Sequence, residues 1–206
     1  MAATATSERA QRAPDGEKAR RIVEAMRRSV ARRGTAGATF ARVAREAGVS
    51  RGLLHYYFGT KEQLLLVEAV RRDCELRMEL LDRQLAGART AEDLIARMAR
   101  NLQETVREDP DFVTLVFELF TLSRRNEDIA AEYAELVRGM REHVAQILAT
   151  ARREGVVRLR AEPDVVSEVL FSLADGFALR MLTDPDRDFQ ATIQAGIACA
   201  HALVTD

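Results

Sequence analysis

Residues 39–58 read TFARVAREAGVSRGLLHYYF, and their order decides the fold. Thr39 and Ser50 each stand just before a short apolar-periodic run, where a side-chain oxygen can accept the orphan amide hydrogens of a first helical turn. Gly48 follows Ala47 where a helix must end and the chain turn sharply, in a left-handed conformation that glycine takes without steric cost. Ala44 is small where two helices would cross. Helices are therefore predicted over 40–47 and 51–57, joined by a tight turn containing glycine, which is the grammar of a helix-turn-helix.

Folding the pair places Val43, Ala47, Val49, Leu54 and Phe58 on the inner face, with Leu54 and Phe58 four residues apart on the second helix. Arg51, Gly52, His55 and Tyr56 are left pointing outward near the start of that helix, the end that enters the DNA major groove in such motifs. Arginine can bond bidentately to guanine, Gly52 lets the backbone approach closely, His55 and Tyr56 offer hydrogen-bonding groups, and Leu53 can meet a thymine methyl. Tyr57 and Lys61 are expected on phosphate, fixing register without reading sequence. Buried aromatics would be ordinary, but a His-Tyr-Tyr run on so short a helix cannot bury every ring. The predicted DNA-binding set is Thr39, Ser50, Arg51, Gly52, Leu53, His55, Tyr56, Tyr57 and Lys61.

Upstream of the motif, Ile22, Val23, Met26 and Val30 recur with arginines between them, a helix with one buried stripe that Gly34 ends. Residues 1–15 lack periodicity and are expected to form a disordered arm. Charge is polarised along the chain. Residues 1–61 hold 13 Lys and Arg against 5 Asp and Glu, net +8; the rest hold 18 against 27, net −9, which gives −1 in all. A basic head on an acidic body fits one end that meets a polyanion. An arginine-rich solvated helix would give the same count.

Together the first helix, Thr39 through Val43-Ala44, Ala47-Gly48-Val49-Ser50, Leu54-His55-Tyr56-Tyr57-Phe58 and Gly59-Thr60-Lys61-Glu62-Gln63-Leu64-Leu65 resemble the TetR/AcrR family of regulators. The likeness covers about residues 18–66, while the later helices agree in number and length and not in motif. The family often carries Tyr-Tyr-His before the phenylalanine. Here the order is His55-Tyr56-Tyr57, which leaves the individual contacts of His55 and Tyr57 open. The resemblance implies phosphate contacts for Thr39, Tyr57 and Lys61, an inducer pocket in the C-terminal body, and a four-helix bundle across a dimer axis.

Beyond the motif the pattern stays helical, so an all-α fold is predicted: helices at about 16–33, 40–47, 51–57, 61–85, 91–108, 111–124, 127–154, 163–182 and 187–204. The domains follow as a DNA-binding domain over 16–61 and a helical ligand-binding and dimerisation domain over 62–206. Phe112, Leu115, Val116, Leu119 and Phe120 stripe one helix of the body, and Val165, Val169, Leu170, Leu173, Phe177 and Met181 another. Most of these are ordinary core. Five of the eight phenylalanines lie in two helices, however, as they do around pockets between bundle helices. By analogy Met98, Leu102, Phe112, Val116, Phe120, Met140, Phe171 and Asp175 are expected to border a small-molecule effector. Asp175, in an apolar run, needs a partner there: Arg180, another side chain, or the ligand. The last two helices, about 163–182 and 187–204, are apolar on more than one side and are expected to pair with a second copy.

Charges interrupt every apolar run before the roughly 18 residues that a spanning helix needs, and no apolar leader opens the chain, so a soluble cytoplasmic protein without a membrane partner is expected. Cys74 and Cys199 read as buried thiols. No glycine-rich phosphate loop, nucleophile elbow or metal-ligand spacing occurs, and His55, His143 and His201 are far apart, so no catalytic residue, metal or cofactor is predicted. The function implied is a repressor binding a palindromic operator as a homodimer and released by a small molecule. Two other classes stay open. An enzyme would need residues gathered from separate helices, and a turnover assay would reveal it. A helical module whose basic head grips an acidic protein would show no sequence-selective retardation of DNA.

Overall fold

The computed structural model describes residues 17–58 and 62–206; the arm over 1–15 lies outside the described residues. Helices α1 (Glu17–Gly37), α2 (Phe40–Ala47), α3 (Arg51–Phe58), α4 (Glu62–Leu85), α5 (Ala91–Glu108), α6 (Pro110–Ser123) and α7 (Glu127–Arg153) are followed by a two-residue strand β1 (Arg158–Leu159). Then come α8 (Pro163–Thr183), α9 (Gln190–His201) and a second short strand, β2 (Val204–Thr205). The fold is all-α as predicted, apart from this antiparallel pair, which sets Arg158 opposite Thr205 and Leu159 opposite Val204. The strands correct the expected absence of β structure and the expected run of the last helix to 204. Val204 is fully buried by an extended segment, and two residues are too few to leave a periodic signature.

The chain divides into two compact units, residues 1–73 with 114–133 and residues 74–113 with 134–206. The first is thus larger than residues 16–61 alone. In it α1 packs on α2 and α2 on α3. Phe40, Val43, Ala44 and Ala47 are buried at the i, i+3, i+4, i+7 spacing of one helix face. From α1, Ile22, Val23, Met26 and Val30 are buried as the periodicity requires. Gly34 breaks α1 at φ 68°, ψ 175°, and one further turn follows. Arg27 and Asp73 tie α1 to α4 by an ion pair of 3.3 Å.

The core of the second unit gathers Leu81 and Leu85 of α4, Leu94 and Ile95 of α5, Val144 and Leu148 of α7, Val166 of α8 and Ala200 of α9, closed by Val157 just before β1 and Val204 of β2. Helix α5 lies at its centre, against α8, α9 and β2. Its first turn is satisfied twice: the Asp206 carboxylate accepts from the Ala91 amide at 2.8 Å and the Thr90 hydroxyl from Asp93 at 3.1 Å. Pro110 and Pro163 open α6 and α8, where a missing N–H costs nothing.

Helix α9 approaches α8 so closely that a Cβ on Gly196 would stand 2.5 Å from the ring of Phe177. Gly196→Val is therefore expected to lower stability by about 1–3 kcal/mol through overpacking. An unchanged urea midpoint would show that the ring swings clear.

Several apolar residues expected inside are outside. Val165 is 50% and Val169 39% exposed on α8, Phe120 is 47% exposed on α6, and Cys199 of α9 is exposed whereas Cys74 is buried. Among the described residues no helix is long and apolar enough to cross a membrane, and no group of His, Cys, Asp or Glu could hold a metal ion.

Candidate nucleic-acid interface

The turn between α2 and α3 is built as its residues require. Gly48 adopts φ 64°, ψ 40°, and the Val49 amide closes back on the Ala44 carbonyl at 2.9 Å. Ser50 caps α3, its hydroxyl accepting from the Leu53 amide at 3.2 Å. Thr39 sits at the N-cap position of α2, but only its carbonyl takes part, accepting from Arg42 and Val43. Its side chain makes no capping bond, which corrects that expectation and leaves the hydroxyl on the exposed side.

On α3, Leu54 is fully buried, and Arg51, Gly52 and Tyr56 are exposed, Tyr56 by 68%. Leu53 and Val49 are half-buried. His55 is turned further inward than expected: its ring meets Phe40 edge-on, with centroids 5.1 Å apart and planes at 84°. An edge-to-face pair of this kind fixes ring orientation as well as burying area. The side chains of Tyr57 and Phe58, and Lys61 altogether, lie outside the described residues.

The residues expected around an effector are not gathered within one unit. Val116, half-buried, and the exposed Phe120 belong to the first. The Phe120 ring faces Tyr133 at 6.0 Å. In the second unit Met98 and Phe171 pack against the hydrophobic core, and Leu102 and Met140 are half-buried. Phe112 is buried, with the Arg77 guanidinium 3.9 Å from its ring centroid. Arg77 also pairs with Asp109 and donates to the Thr105 hydroxyl at 3.3 Å, so it fastens α4 to the junction of α5 and α6. Asp175 is exposed along much of its surface, yet the part that is covered pushes its carboxyl above the ordinary aspartate value by desolvation. Among the described residues no ion pair joins it to Arg180.

Residues 22–67 match the sequence model of bacterial regulatory proteins of the tetR family, and residues 91–204 that of the C-terminal region of BetI-type transcriptional repressors. The chain belongs to the TetR family. It is 30% identical over 178 residues to the HTH-type transcriptional regulator PksA of Bacillus subtilis, covering 84% of this chain and 83% of that one. The fold is shared with a regulator from Saccharomonospora viridis solved in complex with choline, at 24% identity and a TM-score of 0.71 over 91% of this chain and 97% of the other. FadR of Bacillus subtilis, solved with stearoyl-CoA, superposes at 16% identity and a TM-score of 0.72, over 87% and 96%.

As a TetR-family member the chain is a transcriptional regulator with a DNA-binding helix-turn-helix. Two of its arrangements escaped sequence reasoning. Arg77 and Arg21 look like solvated helix arginines in a chain rich in them, and their partners lie some 26 to 32 residues away. Only the acceptor-rich Ala47-Gly48 and Asp109-Pro110 junctions hint that a donor is wanted there.

Proposed function

We propose that this TetR-family regulator is a repressor that binds a palindromic operator as a homodimer and is released by a small molecule. The observation that carries the dimer is a row of exposed residues on α8, Val165, Val169, Ser172, Gly176 and Leu179, spaced four and three apart. That spacing is the seam of a helix made to pack on another helix. On α9 the exposed Ala191, Ala195 and Ala198 repeat the spacing with residues small enough for close approach. A two-fold pairing through these helices would set two recognition helices about 34 Å apart, one turn of B-DNA.

In each half-site Arg51, Gly52, Leu53, His55 and Tyr56 face base edges, while Thr39, Ser50, Tyr57 and Lys61 hold the backbone. In this reading residues 16–61 serve DNA and residues 62–206 serve ligand and dimerisation. Proteins of this fold hold ligands as different as choline and stearoyl-CoA, so the fold supports a small-molecule effector without choosing its class. Such a ligand releases the operator only by binding better to the conformation whose recognition helices do not fit it. The work is that of a cytoplasmic DNA-binding protein and involves no catalysis.

Tyr56→Ala is expected to lower operator affinity about 10- to 100-fold, the cost of a lost base contact, and to leave the dimer intact. Retained affinity for duplexes selected by the wild-type protein would sink the assignment of Tyr56. Binding should also fall steeply with salt as neutralised phosphates release counterions.

A further inference from the structure

We propose that Arg21, on the first helix, is a positioning residue for DNA recognition: its guanidinium holds the turn of the helix-turn-helix in the geometry that aims α3. Arg21 lies on α1, 26 residues before the carbonyl it reaches. Its Nε donates to the Ala47 carbonyl at 3.0 Å, and its Nη2 donates to the same oxygen and to the Gly48 carbonyl at 3.1 Å. Among the described residues, these two carbonyls take all of the side chain's hydrogen bonds.

Ala47 ends α2, so its carbonyl is one of those with no helical donor, and it sits at the negative end of the helix dipole. A guanidinium answers both conditions, because hydrogen bonds from an ionised donor are roughly twice as strong as neutral ones. The fork does more than cap. Gripping two successive carbonyls fixes the peptide plane between Ala47 and Gly48, and with it the rotation at which the chain leaves α2. Helix α3 starts at Arg51, three residues on. A change of dihedral at Gly48 would swing the end of α3 that carries Arg51 and Gly52.

Gly48 carries a second mark of this arrangement. Its φ of 64° already favours glycine, and a Cβ there would also stand 2.7 Å from Nη2 of Arg21. The absence of a side chain therefore serves both the turn and the clamp.

The inference rests on DNA binding by the helix-turn-helix, and the experiment separates the two. Duplex DNA selected from a random pool by the full-length wild-type protein serves as operator, and a scrambled duplex as control. Wild type, Arg21→Ala, Arg21→Lys and Gly48→Ala are compared over a salt series, with thermal unfolding of each. Arg21→Ala is expected to lose about 10- to 100-fold in operator affinity, the range of a lost charge-assisted hydrogen bond. Control binding and the salt slope should stay as in wild type, so that specificity falls and phosphate contacts do not. Lysine keeps the charge without the fork and should recover only part; Gly48→Ala should reproduce the loss.

Four results overturn the proposal. Operator affinity unchanged in Arg21→Ala would show that the clamp aims nothing. A salt slope shallower by about 0.9, with control binding weakened in parallel, would make Arg21 a phosphate contact. Full recovery by lysine would leave only charge, and a loss that vanishes on cooling to where the variant is fully folded would leave only stability. Wild-type protein that selects no duplex overturns the DNA-binding reading itself.

Discussion

Leu54→Ala is expected to cost about 2–5 kcal/mol, the range for a leucine deleted from a well-packed interior, and to abolish operator binding in proportion. Leu54 is fully buried, and the helix that bears it has eight residues. Helices shorter than about 12 residues are marginal in water on their own, so α3 owes its existence to what it buries. The other residues of known exposure on it are open to solvent or half-covered. Among the residues of α3 whose burial is described, Leu54 is the fully buried one, so its removal takes away the anchor they supply. Leu54→Met conserves volume and should cost less than about 1.5 kcal/mol, separating lost packing from any other effect of the exchange. Urea unfolding would report the stability and titration of selected duplex DNA the function. Equal midpoints for wild type and Leu54→Ala would mean that α3 is docked by something else.

The same short segment shows what a sequence can carry. Gly48, Ser50 and Leu54 were legible because each is answered within a few residues: a turn needs φ above zero, a first turn needs an acceptor, and an amphipathic helix needs one buried row. His55 was less legible. It was expected to point outward, but Phe40, fifteen positions away, offers its ring and His55 turns toward it, and period alone says nothing about what arrives from another helix. Thr39 shows a further limit, since occupying an N-cap position does not make a side chain turn into it.

In the body the failures have one common cause. Val165, Val169 and Phe120 are apolar, and apolar residues on a helix look the same whether they face this chain's core or a surface yet to be covered. The actual core of α8 includes Val166 and the hydroxyl of Ser167, which donates to the Arg141 carbonyl at 2.8 Å. Of the predicted stripe, Leu170, Leu173, Phe177 and Met181 are half-buried and only Val165 and Val169 lie outside, while Val166, one residue or some 100° around the helix from Val165, is buried. Arg21 and Arg77 were invisible for the reverse reason: long side chains reach across sequence distances that no local pattern records. The nine helices among the described residues, by contrast, needed only period and punctuation.

The exposed row on α8 gives the second large effect. Leu179→Asp should leave each chain folded, because Leu179 is 50% exposed in the single chain, and should still abolish dimerisation. In a two-fold interface the residue meets the same surface of the other copy, so one exchange introduces two carboxylates. An unpaired charge left in a buried interface costs about 3–5 kcal/mol. Asp175 lies one turn earlier on the same helix, with its own carboxyl already pushed up by partial burial, so the new carboxylate would face like charge as well as desolvation. Sedimentation should find wild type as a dimer and Leu179→Asp as a monomer, with unchanged helical signal. Operator affinity should then fall more than about 100-fold, since the loss of even 3 kcal/mol from the assembly exceeds two powers of ten. Binding to a duplex carrying a single half-site should be almost unchanged. A variant that stays dimeric would move the interface off the Val165-to-Leu179 seam, whereas a monomeric variant that keeps full operator affinity would show that one recognition helix suffices.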